Sequence, residues 1–228
     1  MKKLISIIPE NMRLPLLLAI ICNTAAYYGT RFVTRGWYHF NLSNGLDDRI
    51  PFVPWTVAIY LGCYLFWVVN YILGCRQDER TVFRFISADF VAKLVCLVIF
   101  LVFPTTNIRP AVEGTSFWDM VMVWLYAADA ADNLFPSIHC LTSWFCLIAV
   151  RDNPKIPGWY KAASLLFAIA VCVSTLTTKQ HVIIDVAGGI VLAEGSYLLV
   201  VKSGFSRRYA HCLKRLNRKL IGGGRKFE

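Results

Sequence analysis

"ISADFVAKLVCLVIFLVF", residues 86–103, is the stretch that decides the fold. Asp89 and Lys93 are its only charged residues, and they stand four positions apart. A run this long and this apolar reads as a helix of bilayer length. Helical spacing puts Asp89 and Lys93 on one face, where they read as a buried structural ion pair.

Five further runs have the same character. They cover roughly 13–33, 54–74, 136–150, 159–178 and 182–201. The fourth span in chain order, 136–150, is short, so its helix is expected to extend beyond the apolar core. Between the third and fourth spans lies "FWDMVMVWLYAADA", residues 117–130, apolar but brief and ending in acids. It reads as a re-entrant or interfacial helix. The chain has 228 residues, is 57% hydrophobic, and has a mean hydropathy of +0.52. Those values exclude an ordinary soluble domain. The expected fold is all-α: a polytopic membrane protein built as a six-transmembrane-helix bundle. Residues 1–201 form a single transmembrane catalytic domain, and 202–228 form a basic cytoplasmic tail.

Charge gives the orientation. Lys2, Lys3, Arg13, Arg76, Arg80, Arg84, Arg151, Lys155, Lys161 and the tail fall on one side of the six spans. Only Arg31, Arg35, Arg49, Arg109 and Lys179 fall on the other. The richer side is expected to be cytoplasmic, with both termini inside, in a cell membrane. The tail carries nine Lys/Arg and one acid between Lys202 and Glu228, out of a net charge of +10. On a membrane bundle this points to a solvated inner face beside anionic lipid headgroups, not to nucleic acid. The N-terminal "MKKLISIIPENMRLPLLLAIIC" looks like a signal peptide, but no small-residue cleavage site follows. It reads as an uncleaved first helix. Eight cysteines without a C-x-x-C pair read as small buried hydrophobes.

Polar residues gather on the second side. Arg109 follows the third span, and Ser137 and His139 open the fourth. Lys179, His181 and Asp185 stand where the fifth span passes into the sixth. Ionisable groups at membrane depth point to function. His181 and Asp185 are four apart, so a helix puts them on one face. Such a pair either satisfies itself at a helix start or holds one imidazole tautomer and frees the other nitrogen as a base or nucleophile. His139 supplies an acid for a leaving group. Arg109 and Lys179 supply positive charge for phosphoryl oxygens. The set suits phosphoryl transfer. No carboxylate cluster for magnesium accompanies it, and a third zinc ligand is missing, so no metal and no cofactor are expected.

In order and spacing these residues resemble the type 2 phosphatidic acid phosphatase superfamily, the lipid phosphate phosphatases. Its signatures are K-x6-R-P, P-S-G-H and S-R-x5-H-x3-D. The second is similar to "PSIH", Pro136–His139, and the third to "STLTTKQHVIID", Ser174–Asp185. The first survives as Arg109-Pro110, and the resemblance covers roughly residues 93–195. It implies a six-helix bundle with a metal-free site at the outer face. It implies His181 as nucleophile, Asp185 as its orienting partner and His139 as general acid. Ser137 and Arg109 would hold phosphoryl oxygens.

Three positions depart from the signatures: Val102 for the lysine, Thr175 for the arginine, and Ile138 for the glycine. Lys179 is expected to replace one lost cation. The altered pattern also resembles the branch of inositol phosphorylceramide and sphingomyelin synthases, in which an alcohol takes the place of water. Asp129, Asp132 and Asn133 are placed to bond a polyol headgroup, although Asp132 and Asn133 read somewhat better as caps of the helix near Pro136. Gly188 and Gly189 are expected to allow close helix packing. Three functions follow: a lipid phosphate phosphatase, a lipid phosphotransferase of the same chemistry, or a non-catalytic carrier or scaffold on this fold.

Overall fold

Apolar segments satisfy their own backbone hydrogen bonds by coiling. The computed structural model, which describes residues 8–221, is accordingly almost all helix. Helix α1 spans Glu10–Thr34 and contains a π-helical turn at Ala25–Gly29. A two-residue strand, β1 (Phe40–Asn41), and the short α2 (Gly45–Asp48) lead to α3 (Val57–Gly74). Then come α4 (Glu79–Val102), β2 (Thr105–Thr106) and α5 (Phe117–Ala128). The chain continues through α6 (Ile138–Arg151), α7 (Gly158–Thr177), α8 (Ile183–Ser203) and α9 (Phe205–Ile221).

Among the described residues, five helices are long and apolar enough to cross a membrane: α1, α3 with its leading 3-10 turn, α4, α7 and α8. The chain is a multi-pass membrane protein. The expected fourth span is α6, which does not reach that length. Its 14 residues rise only about 21 Å at 1.5 Å each. Its position compensates for the missing length. Helix α6 lies at the centre of the bundle against α3, α4, α7 and α8. Leu141, Phe145, Cys146 and Val150 are all fully buried. A helix enclosed by other helices needs no apolar surface of lipid length.

Asp89 and Lys93 on α4 pair as expected, with Lys93 Nζ 2.8 and 2.9 Å from the two carboxylate oxygens. Tyr71 on α3 donates a third hydrogen bond to Asp89 at 2.8 Å. The pair is thus satisfied by protein where water is excluded.

Helices α1, α4 and α7 end where α3, α6 and α8 begin. At that end the β1–β2 pair, in parallel register Phe40↔Thr105, joins the loop after α1 to the loop after α4. Val53 N–H donates to the Thr177 carbonyl at 2.9 Å, joining the start of α3 to the end of α7. Helix α5 is closed by a Ser116–Asp119 capping box and buries Met122 and Leu125 against Val57 and Tyr60. Its Met120, Val123 and Trp124 are exposed.

The tail is more than a solvated segment. Helix α9 packs its apolar face on α4 and α1, burying Tyr209 and Leu213, and Lys214 pairs with Glu79. Lys2, Lys3, Arg225 and Lys226 lie outside the described residues.

Candidate active site

The third signature forms a turn and a helix start. After α7 ends, the Thr175 carbonyl accepts the Gln180 and His181 N–H groups at 3.0 and 3.1 Å. Val182 is the N-cap residue of α8, with Asp185 in the first turn. Asp185 Oδ2 accepts the Val182 N–H at 3.0 Å and faces His181 Nδ1 at 3.3 Å. A carboxylate there also meets the positive end of the helix dipole. The Ile183 N–H is taken by Asp47 Oδ1 of α2 at 2.8 Å.

Helix α6 starts beside it. The Ser137 side chain accepts the Cys140 N–H at 3.3 Å, and the Ser137 N–H donates to the Asp185 carbonyl at 3.0 Å. This backbone bond ties the two helix starts together, and Gly189 permits it. A Cβ there would lie 2.7 Å from the Ser137 carbonyl oxygen. At Gly188 a Cβ would lie 2.5 Å from the Phe135 ring. Both glycines therefore allow the expected close approach.

The two histidines consequently share one cavity of about 290 Å³. Their ring centroids are 6.0 Å apart. A tautomer with Nδ1–H directed at Asp185 leaves the other ring nitrogen, Nε2, without a proton. The His139 ring stacks on Tyr60 at 4.3 Å and lies edge-on to Tyr64 at 6.0 Å. Hydroxyls of Tyr60 and Tyr64 stand 3.4 and 3.5 Å from its Nδ1 and Nε2.

Asp129 and Asn133 line the cavity, as does Asp132. The Asp129 carboxylate accepts hydrogen bonds from Tyr27 and Tyr60. Asn133 donates to the Thr30 hydroxyl at 3.0 Å and to the Tyr27 carbonyl at 3.3 Å, leaving its buried Oδ1 without a partner among the described residues. Neither Asp132 nor Asn133 caps α6; Ser137 does. Burial raises the Asp132 carboxyl above its ordinary range, and Arg31 opposes the shift.

The expected phosphate contacts are arranged differently from the sequence reading. Ser137, Arg109 and Lys179 do not line the cavity. Ser137 is fully buried in its cap. Arg109 sits directly behind the wall: it donates to the Asp129 carbonyl and to the Gln180 side chain, with its guanidinium 4.9 Å from the Tyr126 ring centroid. Lys179 is a correction. Its Nζ donates to the Asp47 and Ile50 carbonyls at 2.8 and 2.6 Å, so its charge is spent clamping the α2 loop.

Three departures have visible consequences. Val102 is 73% exposed at the end of α4, away from the cavity. Thr175 is fully buried and donates to the Cys172 carbonyl at 2.7 Å. Ile138 lines the cavity beside His139.

Sequence reasoning missed Gln180. It is 1% exposed, lines the cavity, and has an Nε2 donor without a partner among the described residues. It also missed Tyr60 and Tyr64, whose one-turn spacing inside an apolar run was a readable signal. Among the described residues no three of His, Cys, Asp or Glu gather as metal ligands.

A family model described as the PAP2 superfamily matches residues 37–199, which include every element that builds the cavity except α1. No curated protein matches the chain.

Proposed function

Because the chain belongs to the PAP2 superfamily, we propose that it is an integral membrane phosphatase hydrolysing a lipid phosphate or diphosphate through a phosphohistidine. The observation that carries this reading is the Asp185-held His181 facing His139 across one cavity.

In the first step neutral His181 Nε2 attacks phosphorus. The bond from phosphorus to the lipid oxygen breaks as protonated His139 gives that oxygen its proton. Asp185 holds Nδ1–H and stabilises the positive charge on the phosphorylated ring. In the second step neutral His139 takes a proton from water. The resulting hydroxide attacks phosphorus as the phosphorus–Nε2 bond breaks, its electron pair returning to Nε2; phosphate leaves, and neutral His181 and protonated His139 are restored. Gln180 Nε2 donates to a phosphoryl oxygen, and Arg109 behind it supplies the positive field. No step uses a metal.

The chain is oriented with six crossings, α6 among them, and with α5 lying in the interface. Both termini are cytoplasmic and the cavity opens at the outer face of a cell membrane. The Lys/Arg excess on the side of the tail supports this orientation. Helix α9 then lies at the inner surface beside anionic headgroups, with no nucleic-acid partner.

A second reading is a lipid phosphotransferase, in which a lipid alcohol replaces water in the second step. The unpartnered Asn133 Oδ1 in the cavity wall favours it, because it can accept an alcohol hydroxyl.

The test uses purified protein, EDTA, and labelled lipid phosphates with and without alcohol acceptors. Free phosphate is the expected product. Label in a new lipid would replace the phosphatase by the transferase. Failure to turn over any substrate would favour a carrier or scaffold, and turnover surviving His181→Ala would remove the phosphohistidine.

A further inference from the structure

A second cavity, of about 660 Å³, adjoins the first. The two share Tyr28 and Asp132 in their walls. The remaining walls of the second include Arg31 and Arg35 of the α1 end, His39, and Thr106 of β2.

Three features give this cavity its chemistry. It is cationic, with two guanidinium groups against one carboxylate. Arg31 Nε binds Asp132 Oδ2 at 2.8 Å, whereas Arg35 is exposed and makes no hydrogen bond or ion pair among the described residues. Asp132 Oδ1 is a buried acceptor without a partner among the described residues, which suits a hydroxyl donor. His39 is held by Nδ1 against the Trp37 carbonyl at 2.9 Å, which leaves Nε2 free.

In the orientation proposed above, the cavity lies at headgroup height. Phe32 is 84% exposed and Tyr38 76% exposed beside it, the arrangement of an aromatic belt. The floor is fixed, because β1 and β2 pair and the Thr106 hydroxyl donates to the Ala131 carbonyl at 2.5 Å.

We propose that this second cavity binds a second phosphate, with its neighbouring hydroxyls, in a phosphorylated polyol headgroup whose terminal phosphate lies between His139 and His181. Arg31 and Arg35 take the second phosphate through their forked N–H groups. Asp132, common to both walls, takes a hydroxyl between the two phosphates. The assignment of which phosphate reacts rests on the phosphatase reading above. The cationic subsite itself does not require turnover.

The test measures lipid binding by the full chain carrying His181→Ala, so that nothing is consumed. Phosphatidylglycerol phosphate, with two phosphates and a glycerol hydroxyl, is compared with phosphatidic acid, with one phosphate. The first is expected to bind on the order of tenfold tighter, as two charge-assisted contacts would give. Arg35→Gln should remove most of that preference while the thermal melting point stays in place. Arg31→Gln should do the same, and about 0.5 M salt should shrink the preference, because Arg35 is open to screening.

Equal affinity for the two lipids would overturn the subsite, as would a loss at Arg35→Gln shared equally by both. Phosphate release by the unmutated chain is read separately. Lipid preference without release would overturn the hydrolytic reading alone. Release without preference would overturn the subsite alone.

Discussion

His181 and Asp185 stand one helical turn apart across the start of α8, with Nδ1 and Oδ2 separated by 3.3 Å. The same carboxylate oxygen accepts the Val182 N–H at 3.0 Å. One side chain therefore both caps a helix and fixes a tautomer. The helix start becomes a rigid mount for the imidazole.

Asp185→Asn separates the two duties. The amide oxygen can still accept the Val182 N–H, but the side chain no longer balances a positive imidazole. Turnover is expected to fall on the order of 10²–10⁴-fold, with little change in melting temperature in detergent. Near-normal turnover in the asparagine variant would show that the carboxylate serves only as a cap.

His139→Gln should show its role through the leaving group. A general acid matters most when the departing oxygen is basic. Release of a lipid alkoxide should fall by about 10²–10⁴-fold, while a nitrophenyl phosphate ester loses far less in the burst of phosphoenzyme formation. Equal losses on both esters would assign His139 to another task.

Gly189→Ala drives a methyl into the Ser137 carbonyl, 2.7 Å away. Backbone cannot rotate aside, so α6 and α8 must part. The expected destabilisation is about 1–3 kcal/mol, with loss of activity because both helix starts shift. Gly195→Ala on the same helix meets nothing within 4 Å and is the control. It should be neutral or stabilise by roughly 0.5–1 kcal/mol. A stable, active Gly189→Ala would refute the close packing.

Lys179 has a φ of 54°, in the left-handed region, and its ammonium holds two carbonyls of the α2 loop. Lys179→Ala removes those bonds and keeps the strain. It should lower stability by roughly 2 kcal/mol with KM for the lipid changed less than about twofold, since no phosphate contact is lost. Lys179→Gly loses the same bonds but relaxes the backbone, and should be more stable than the alanine variant by about 1 kcal/mol. A tenfold rise in KM with an unmoved melting temperature would return Lys179 to phosphate binding.

By itself the sequence determined five of the six expected spans, because bilayer-length apolar runs admit one backbone solution. It also determined the Asp89–Lys93 pair and the partnership of His181 with Asp185. The first is a consequence of four-residue spacing on a helix; in the second, His181 precedes the N-cap Val182 and meets Asp185 of the first turn across the helix start. Gly188 and Gly189 were legible too, since small residues mark close helix approach.

Tertiary structure decided what local spacing cannot encode. Helix α6 is enclosed by four helices, a fact about neighbours and not about its own residues. Lys179, two residues before His181, turns away because the left-handed backbone at that position sends it to the α2 loop. Gln180, its immediate neighbour, lines the cavity instead, backed by an Arg109 that lies 71 residues away in the chain. Adjacency along the chain fixed which residues were near His181. Only the fold chose which of them face the cavity, because a single change of backbone region reverses a side chain's direction.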